Sequence, residues 1–477
     1  MPLSPHYRPA PCIEGLKDLL CDPVRAARFP ELRLRFRHQG WAGEVGLGEL
    51  DEGEWCRHFG AFEALLCNLN EPLALRYHGH QFGSYNPQLG DGRGFLFAQL
   101  RDGKGRLLDL GTKGSGQTPY SRGGDGRLTL KGGMREILAT EMLEALGVET
   151  SKTFSLIETG ESLWRGDEPS PTRSSVLVRL SHSHIRIGSF QRLEFLEDKA
   201  GLRRLLDYCV QHYYPALGSE DLPRAFFRAL LDRCAALCAS WMIAGFVHGV
   251  LNTDNINITG ESFDYGPWRF LPHYDAGFTA AYFDETGLYA FGRQPQAMAQ
   301  NLWWLGRALT LLDAELDVEE EIRAFEGKLN AYAAAFLQRR LGIEPLQGDD
   351  PMLLPLTFTF LRESRVSFAG FFHDFRGGVL AEAKAHRGPR AAHYRGTAYE
   401  GFRRALEGYR PRADAGLDDP YFQGDEPCDI LIDEVEALWA AIATKDDWSA
   451  LEAKIDAIRH MGHLLRGKGA FPAAEMG

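Results

Sequence analysis

No apolar run in this chain approaches the roughly 20 residues needed to cross a bilayer. None of its eight cysteines forms a Cys-x-x-Cys pair. Positive charge is also short: 53 Lys and Arg against 65 Asp and Glu give a formal net charge of −12. The first absence argues against a membrane protein, and the second against a thiol zinc site or a secreted disulfide scaffold. The third argues against a nucleic-acid or anionic-membrane partner. Met1-Pro2-Leu3-Ser4-Pro5-His6 has no basic stretch leading into an apolar core, so no signal peptide is expected and the expected location is the cytoplasm. There is no internal repeat and no low-complexity linker. What remains is an ordinary soluble composition, 44% apolar and 25% charged, in 477 residues, enough for two or three structural units.

Glycine is concentrated between residues 77 and 133. Strand-like runs lie at Gly94–Leu100 and Arg106–Thr112, with Asp102-Gly103 as a hairpin signal. Met134–Leu146 has helical spacing and ends at Gly147. Further strand-like runs follow at Lys152–Glu158 and Ser175–Leu180. After about residue 195 the pattern turns helical, with helices expected at 200–216, 222–245, 295–313, 318–341, 429–443 and 447–461. Residues 1–75 mix short apolar segments with loops and carry no clear chemical signal. Glycine-rich strands and one helix, then a mostly helical half, predict an α+β, bilobal protein-kinase-like fold. The expected division is a 1–75 extension, a 76–195 N-lobe and a 196–477 C-lobe.

The chemistry concentrates at His248-Gly249-Val250-Leu251-Asn252-Thr253-Asp254-Asn255 and Asp264-Tyr265-Gly266. Kinase-type loops run His-x-Asp-x-x-x-x-Asn, followed later by Asp-Phe-Gly. His248, Asn255 and Asp264 match, but Val250 fills the position of the catalytic Asp and can neither accept a proton nor bind a metal. Asp254 can replace the lost base if it faces an incoming hydroxyl. Asp254, Asn255 and Asp264 are hard oxygen donors suited to Mg²⁺ or Mn²⁺. Asn255–Ile258 and Ser262-Phe263, separated by Gly260, resemble a small hairpin.

Upstream, Gln88-Leu89-Gly90-Asp91-Gly92-Arg93-Gly94 offers backbone amides and a guanidinium to phosphate. Lys113 closes the second strand-like run, and Glu136, at the edge of the apolar arc of the following helix, is placed to hold it as kinases hold their phosphate lysine. The loop Gly114–Gly133 carries Arg122, Asp125, Gly126, Arg127 and Lys131 and offers a second phosphate-approaching segment. Arg179, near the end of a strand-like run, and Arg186 flank Ser181-His182-Ser183-His184. The histidines at 78, 80, 182 and 184 lack helix-facing i, i+4 spacing or a nearby thiolate and are expected to be structural.

Together, His78-Gly79-His80-Gln81-Phe82-Gly83, Gln88–Gly94, Thr112-Lys113-Gly114, Thr118-Pro119-Tyr120-Ser121-Arg122, Gly124-Asp125-Gly126-Arg127, Arg135-Glu136, the 248–255 loop and Asp264-Tyr265-Gly266-Pro267 resemble the selenoprotein O family of protein adenylyltransferases with a pseudokinase fold. The resemblance covers roughly residues 75 to 310. It implies transfer of AMP from ATP to Ser, Thr or Tyr hydroxyls of proteins, with ATP reversed relative to kinases. It implies that Gly90, Gly92, Arg93, Lys113, Asp125, Gly126, Arg179 and Arg186 contact the nucleotide and that Glu136 orients Lys113. Asp254 would accept the proton, and Asn255 and Asp264 would hold Mg²⁺ or Mn²⁺. Many members carry a cysteine or selenocysteine near the C-terminus; Ala470–Gly477 has none, so redox control through it is not expected. A γ-phosphate-transferring kinase and an inactive nucleotide-binding scaffold are the alternative readings.

Overall fold

The computed structural model describes residues 4–166, 168–218, 220–346 and 352–467; the C-terminal Ala470–Gly477 lies outside them. It mixes helix and strand around a curled antiparallel sheet. The strand order is Cys21–Pro23, Leu73–Leu75, Leu96–Arg101, Leu107–Lys113, Thr172–Ser181, Lys152–Leu163 and Arg33–Arg37, with the short Leu128–Thr129 strand also pairing with Thr172–Ser181. Register decides what faces the site. Lys113 lies opposite Leu177 and Gly111 opposite Arg179. Residues directly opposite in an antiparallel pair share a face, so Lys113 and Arg179 emerge on the same side.

The other face is apolar. Phe97, Leu110, Val176 and Val178 pack there with Trp55, Phe59 and Phe154 in one buried cluster. Trp55 stacks on Phe154 at 5.0 Å and donates its indole N–H to Ser155 Oγ at 2.9 Å. Residues 1–75, which carried no chemical signal, thus supply three strands of the sheet and the lid of its apolar face.

Several expected elements form with shifted ends. The helix expected at Met134–Leu146 spans Leu130–Ala145 and starts a turn earlier, because the Thr129 side chain caps it by accepting from the Gly132 N–H. Gly133 is required inside it: a Cβ there would lie 2.3 Å from Leu156 Cδ1, so the helix could not settle on the sheet. The turn between Leu96–Arg101 and Leu107–Lys113 is longer than an Asp102-Gly103 hairpin. The Asp102 carboxylate accepts from the Lys104 and Arg106 amides, and Gly105, at φ 80°, is the left-handed residue. The helix expected over 318–341 is interrupted at Arg323, giving Val318–Ile322 and Ala324–Leu341. No hairpin forms after Asn255: Thr253–Asn255 is a single 3₁₀ turn, Asn257 bridges to Arg186, and Ser262 bridges to Thr150. Helices at Ile187–Phe195, Leu353–Ser364, Phe368–Asp374 and Thr397–Leu406 form in addition to those expected. The last three bury an aromatic cluster in which Phe360 stacks on Phe402.

The C-terminal helix Ser449–Arg466 returns to the Leu130–Ala145 helix. Arg459 forks onto the buried Glu141 carboxylate at 2.8 and 2.5 Å. Asp446, just before that helix, receives Arg35 at 3.0 Å and Arg173 at 2.7 Å. No helix among the described residues is long and apolar enough to cross a membrane. At the helix contact a Cβ on Gly462 would stand 2.7 Å from Ala145 Cα, with backbone on the other side that cannot give way. Gly462→Leu should therefore destabilise the protein by about 1–3 kcal/mol, measured as a lowered denaturant midpoint.

Candidate active site

A cavity of about 710 Å³ opens at the end of the sheet, beside the Thr253–Asn255 turn. Gly90, Gly92, Arg93, Lys113, Asp125, Gly126, Arg179, Arg186, Asp254, Asn255 and Asp264 all line it, with Val250 among them. Glu136 is the one candidate residue that does not; it stands behind Lys113. Positions spread over 175 residues of sequence are thus gathered on one wall system by the sheet register and the catalytic-type loop.

The glycine segment is shaped by close approach. A Cβ on Gly90 would meet the Tyr120 ring at 2.3 Å, and one on Gly94 would meet the Thr112 carbonyl oxygen at 2.0 Å. The Thr118–Ser121 part of the long loop folds over this segment. Thr118 Oγ1 donates to the Asp91 carbonyl at 2.5 Å and Ser121 Oγ to the Gly92 carbonyl at 2.6 Å. The Tyr120 hydroxyl donates to Asp22, which Arg76 also holds. The residues before 75 therefore anchor the loop that covers the cavity.

Three cations are fixed inside. Lys113 pairs with the buried Glu136 and lies 3.0 Å from Asp264 Oδ1. Arg179 reaches the same oxygen at 3.4 Å. Arg186, only 3% exposed, lies against the Tyr77 ring at 4.3 Å and pairs with Asp91 at 3.1 Å. The Nε atoms of Arg179 and Arg186 are buried and hydrogen-bond to nothing in the protein. Arg93 contributes a fourth, exposed guanidinium at the rim. Burial opposes the charge on Asp264, but Lys113, Arg179 and Arg93 outweigh it and hold the carboxyl well below the usual carboxylate range. Asp264 also has a left-handed backbone, φ 64°, uncommon for a residue other than glycine and frequent where function fixes a conformation.

The opposite wall is the 248–255 loop. His248 is fully buried; its Nε2 contacts the Phe263 carbonyl at 3.0 Å and its backbone N–H donates to Gln294 at 3.0 Å. It therefore holds the loop to the segment before Asp264 and does not line the cavity. Asn255 Nδ2 donates to the Val250 carbonyl at 3.1 Å, which leaves its side-chain oxygen available as a donor to a cation. Asp254 Oδ2 accepts from Gln81 Nε2 at 3.3 Å, whereas its Oδ1 is buried without a partner. Burial pushes the Asp254 carboxyl up to about 6, with Arg186 pulling it down and Asp264 pushing it up. Among the described residues no group of three or more His, Cys, Asp or Glu could hold a metal ion. Two carboxylates and an amide oxygen do fit Mg²⁺ or Mn²⁺, which typically takes few protein ligands and completes its shell with substrate phosphates and water.

Sequence reasoning placed Glu136 at the edge of an apolar arc; it is buried, because the helix packs against the sheet on one side and Ser449–Arg466 on the other. It passed over Gln81, although Gln81 lies in the quoted His78–Gly83 segment, where attention went to the histidines. His80 instead stacks on Trp304 at 3.6 Å, as a structural ring. Arg165 had no motif signal. It forks onto Asp125 at 2.8 and 3.1 Å and lines the cavity, so Asp125 is held at the rim by a residue 40 positions away. Arg127 also lines the cavity and is paired with Glu161 at 2.7 Å.

A family model described as protein adenylyltransferase SelO matches residues 4–459. A protein nucleotidyltransferase YdiU of Synechocystis sp. is 45% identical over 468 residues, 94% of this chain and 96% of that protein. The protein of the same name from Gloeobacter violaceus is 46% identical over 469 residues, 96% and 95% of the two chains. A third, from Azotobacter vinelandii, is 41% identical over 317 residues, 66% of this chain and 64% of that protein.

The Lys113–Glu136 pair makes a direct test of the wall. Lys113→Met strands a buried carboxylate and should cost roughly 3 kcal/mol of stability in the nucleotide-free protein. Lys113→Met with Glu136→Leu should recover most of that loss, in denaturant titrations, while still failing to bind nucleotide.

Proposed function

This chain belongs to the protein adenylyltransferase SelO family, and from that membership we propose that it transfers AMP from ATP to Ser, Thr or Tyr hydroxyls of proteins. The observation that carries the reading is an apolar Val250 at the kinase base position and an Asp254 carboxylate, one of whose oxygens is buried without a partner, in the lining of the same cation-lined cavity. We read the chain as a bilobal protein-kinase-like enzyme, with residues 76–195 forming the nucleotide-binding lobe, 196–477 the helical lobe and 1–75 an extension. The order of sheet, supporting helix and helical half supports that reading.

The triphosphate lies against Gly90, Gly92, Arg93, Lys113, Asp125, Gly126, Arg179 and Arg186, reversed relative to a kinase so that the α-phosphate faces Asp254. Three arginines beside one lysine support this, since a reversed triphosphate needs cations where a kinase has none. Glu136 fixes Lys113. Mg²⁺ or Mn²⁺ held by Asn255 and Asp264 would offset charge on the phosphates. Lys113 and Arg179 both hold Asp264, fixing the carboxylate beside the cations. The acceptor hydroxyl gives its proton to Asp254, and its oxygen forms a bond to the α-phosphorus. The bond from that phosphorus to the β-bridging oxygen breaks, and pyrophosphate leaves with its electron pair.

Incubation with ATP labelled at the α or the γ position tests the reading. Label should enter protein from α only; label from γ only would sink AMP transfer. Asp254→Asn should lower kcat by about 10²–10⁴-fold, the usual worth of a positioned base. Because the base works ionised, kcat/KM should rise with pH through about 6 and then level off. The same raised value means that the carboxyl's contribution to stability is present at low pH and lost as pH rises toward 6. Asp254→Asn should therefore leave the melting temperature unchanged or higher, which separates lost chemistry from lost fold.

A further inference from the structure

Beside the acceptor side of the cavity lies an apolar surface that the fold does not use. Phe82, Tyr282, Phe283 and Leu288 are exposed by 39%, 83%, 48% and 36%. They form a single patch: Phe82 meets Phe283 at 5.8 Å, and Tyr282 meets Phe283 at 5.1 Å. Phe82 also packs on Tyr289 at 5.0 Å. Phe82 caps the Gly79–Gln81 and Ser84–Asn86 hairpin in a left-handed conformation, φ 49°. A bulky side chain there is strained, and half-exposing a phenyl ring adds to the cost without any return in core packing.

The patch is wired to the chemistry. The Phe82 N–H donates to Asn252 Oδ1 at 3.1 Å, and the Tyr289 hydroxyl donates to the same oxygen at 2.6 Å. Gln81, the residue before Phe82, donates to Asp254. Phe82 thus follows directly on a residue that lines the cavity and holds the proposed proton acceptor.

We propose that this patch docks an extended segment of the protein substrate that carries a large apolar side chain within about two residues of the modified hydroxyl. The proposal rests on the AMP-transfer reading. An extended chain advances about 3.3 Å per residue, so a side chain two positions from the hydroxyl lies about 7 Å along the segment. Next to it a trough of about 390 Å³ presents the amides of Gln296 and Gln300 to such a chain.

The test uses the full chain, α-labelled ATP, total cell protein and a synthetic peptide array with Ser, Thr or Tyr at the centre and Phe, Leu or Ala at each flanking position. Wild type should favour peptides with Phe or Leu near the centre by about tenfold over Ala, the worth of burying one such side chain. Tyr282→Ser with Phe283→Ser should abolish the preference, with the Kd for ATP unchanged as evidence of an intact fold, and Phe283→Leu should retain it. Equal labelling of the Ala peptides by wild type, or an undiminished preference in the double variant, would overturn the docking proposal alone. No α-label in cell protein would overturn the transfer reading and the docking proposal with it.

Discussion

The buried Lys113 ammonium is the constraint around which the site is built. It is set at the end of a central strand, meets Glu136 from the supporting helix and Asp264 from the loop that follows the catalytic-type segment. Three elements distant in sequence therefore converge on one nitrogen. A buried ion group of this kind adds little net stability, because desolvation offsets much of the attraction, but an unmatched member would be costly. The arrangement thus specifies position more than it contributes stability. Arg179, reaching the same Asp264 oxygen from the neighbouring strand, widens the specification to the sheet register itself.

The rest of the molecule serves that position. The sheet's apolar face is closed by Trp55 and Phe59, and the long loop over the glycine segment is held through Tyr120 and Asp22. His248, which looks catalytic in the motif, holds backbone instead. The site is consequently a cationic trough in whose lining Val250 stands at the position of the kinase base, four residues before the Asp254 carboxylate.

Much of the site was legible because its chemistry depends on residue types at short fixed spacings. The 248–255 loop, Asp264 and the Gly90–Gly94 segment all announce themselves locally. The long Leu222–Ala244 helix was legible for a similar reason, since sustained periodicity survives tertiary context. Contacts set by tertiary placement were hidden. Gln81 on Asp254 and Arg165 on Asp125 join segments with no shared pattern. The start of the Leu130–Ala145 helix was obscured by Gly132 and Gly133, which resemble loop residues yet are needed for close packing on Leu156. Phe368–Asp374 buries six of its seven residues, so no single stripe marks it, whereas Leu353–Ser364 and Thr397–Leu406 each bury one face and carry a readable helical spacing.

The return of Ser449–Arg466 onto the helix that carries Glu136 has a consequence for synthesis. A chain emerging N-terminus first presents Lys113, Glu136 and Asp264 well before the segment that braces their helix. Arg459 cannot engage Glu141, nor Asp446 tie Arg35 and Arg173, until synthesis has passed residues 446 and 459. The architecture therefore delays completion of the cavity wall until residue 459 has been made, and a polypeptide terminated before it holds the site residues without the brace that sets them.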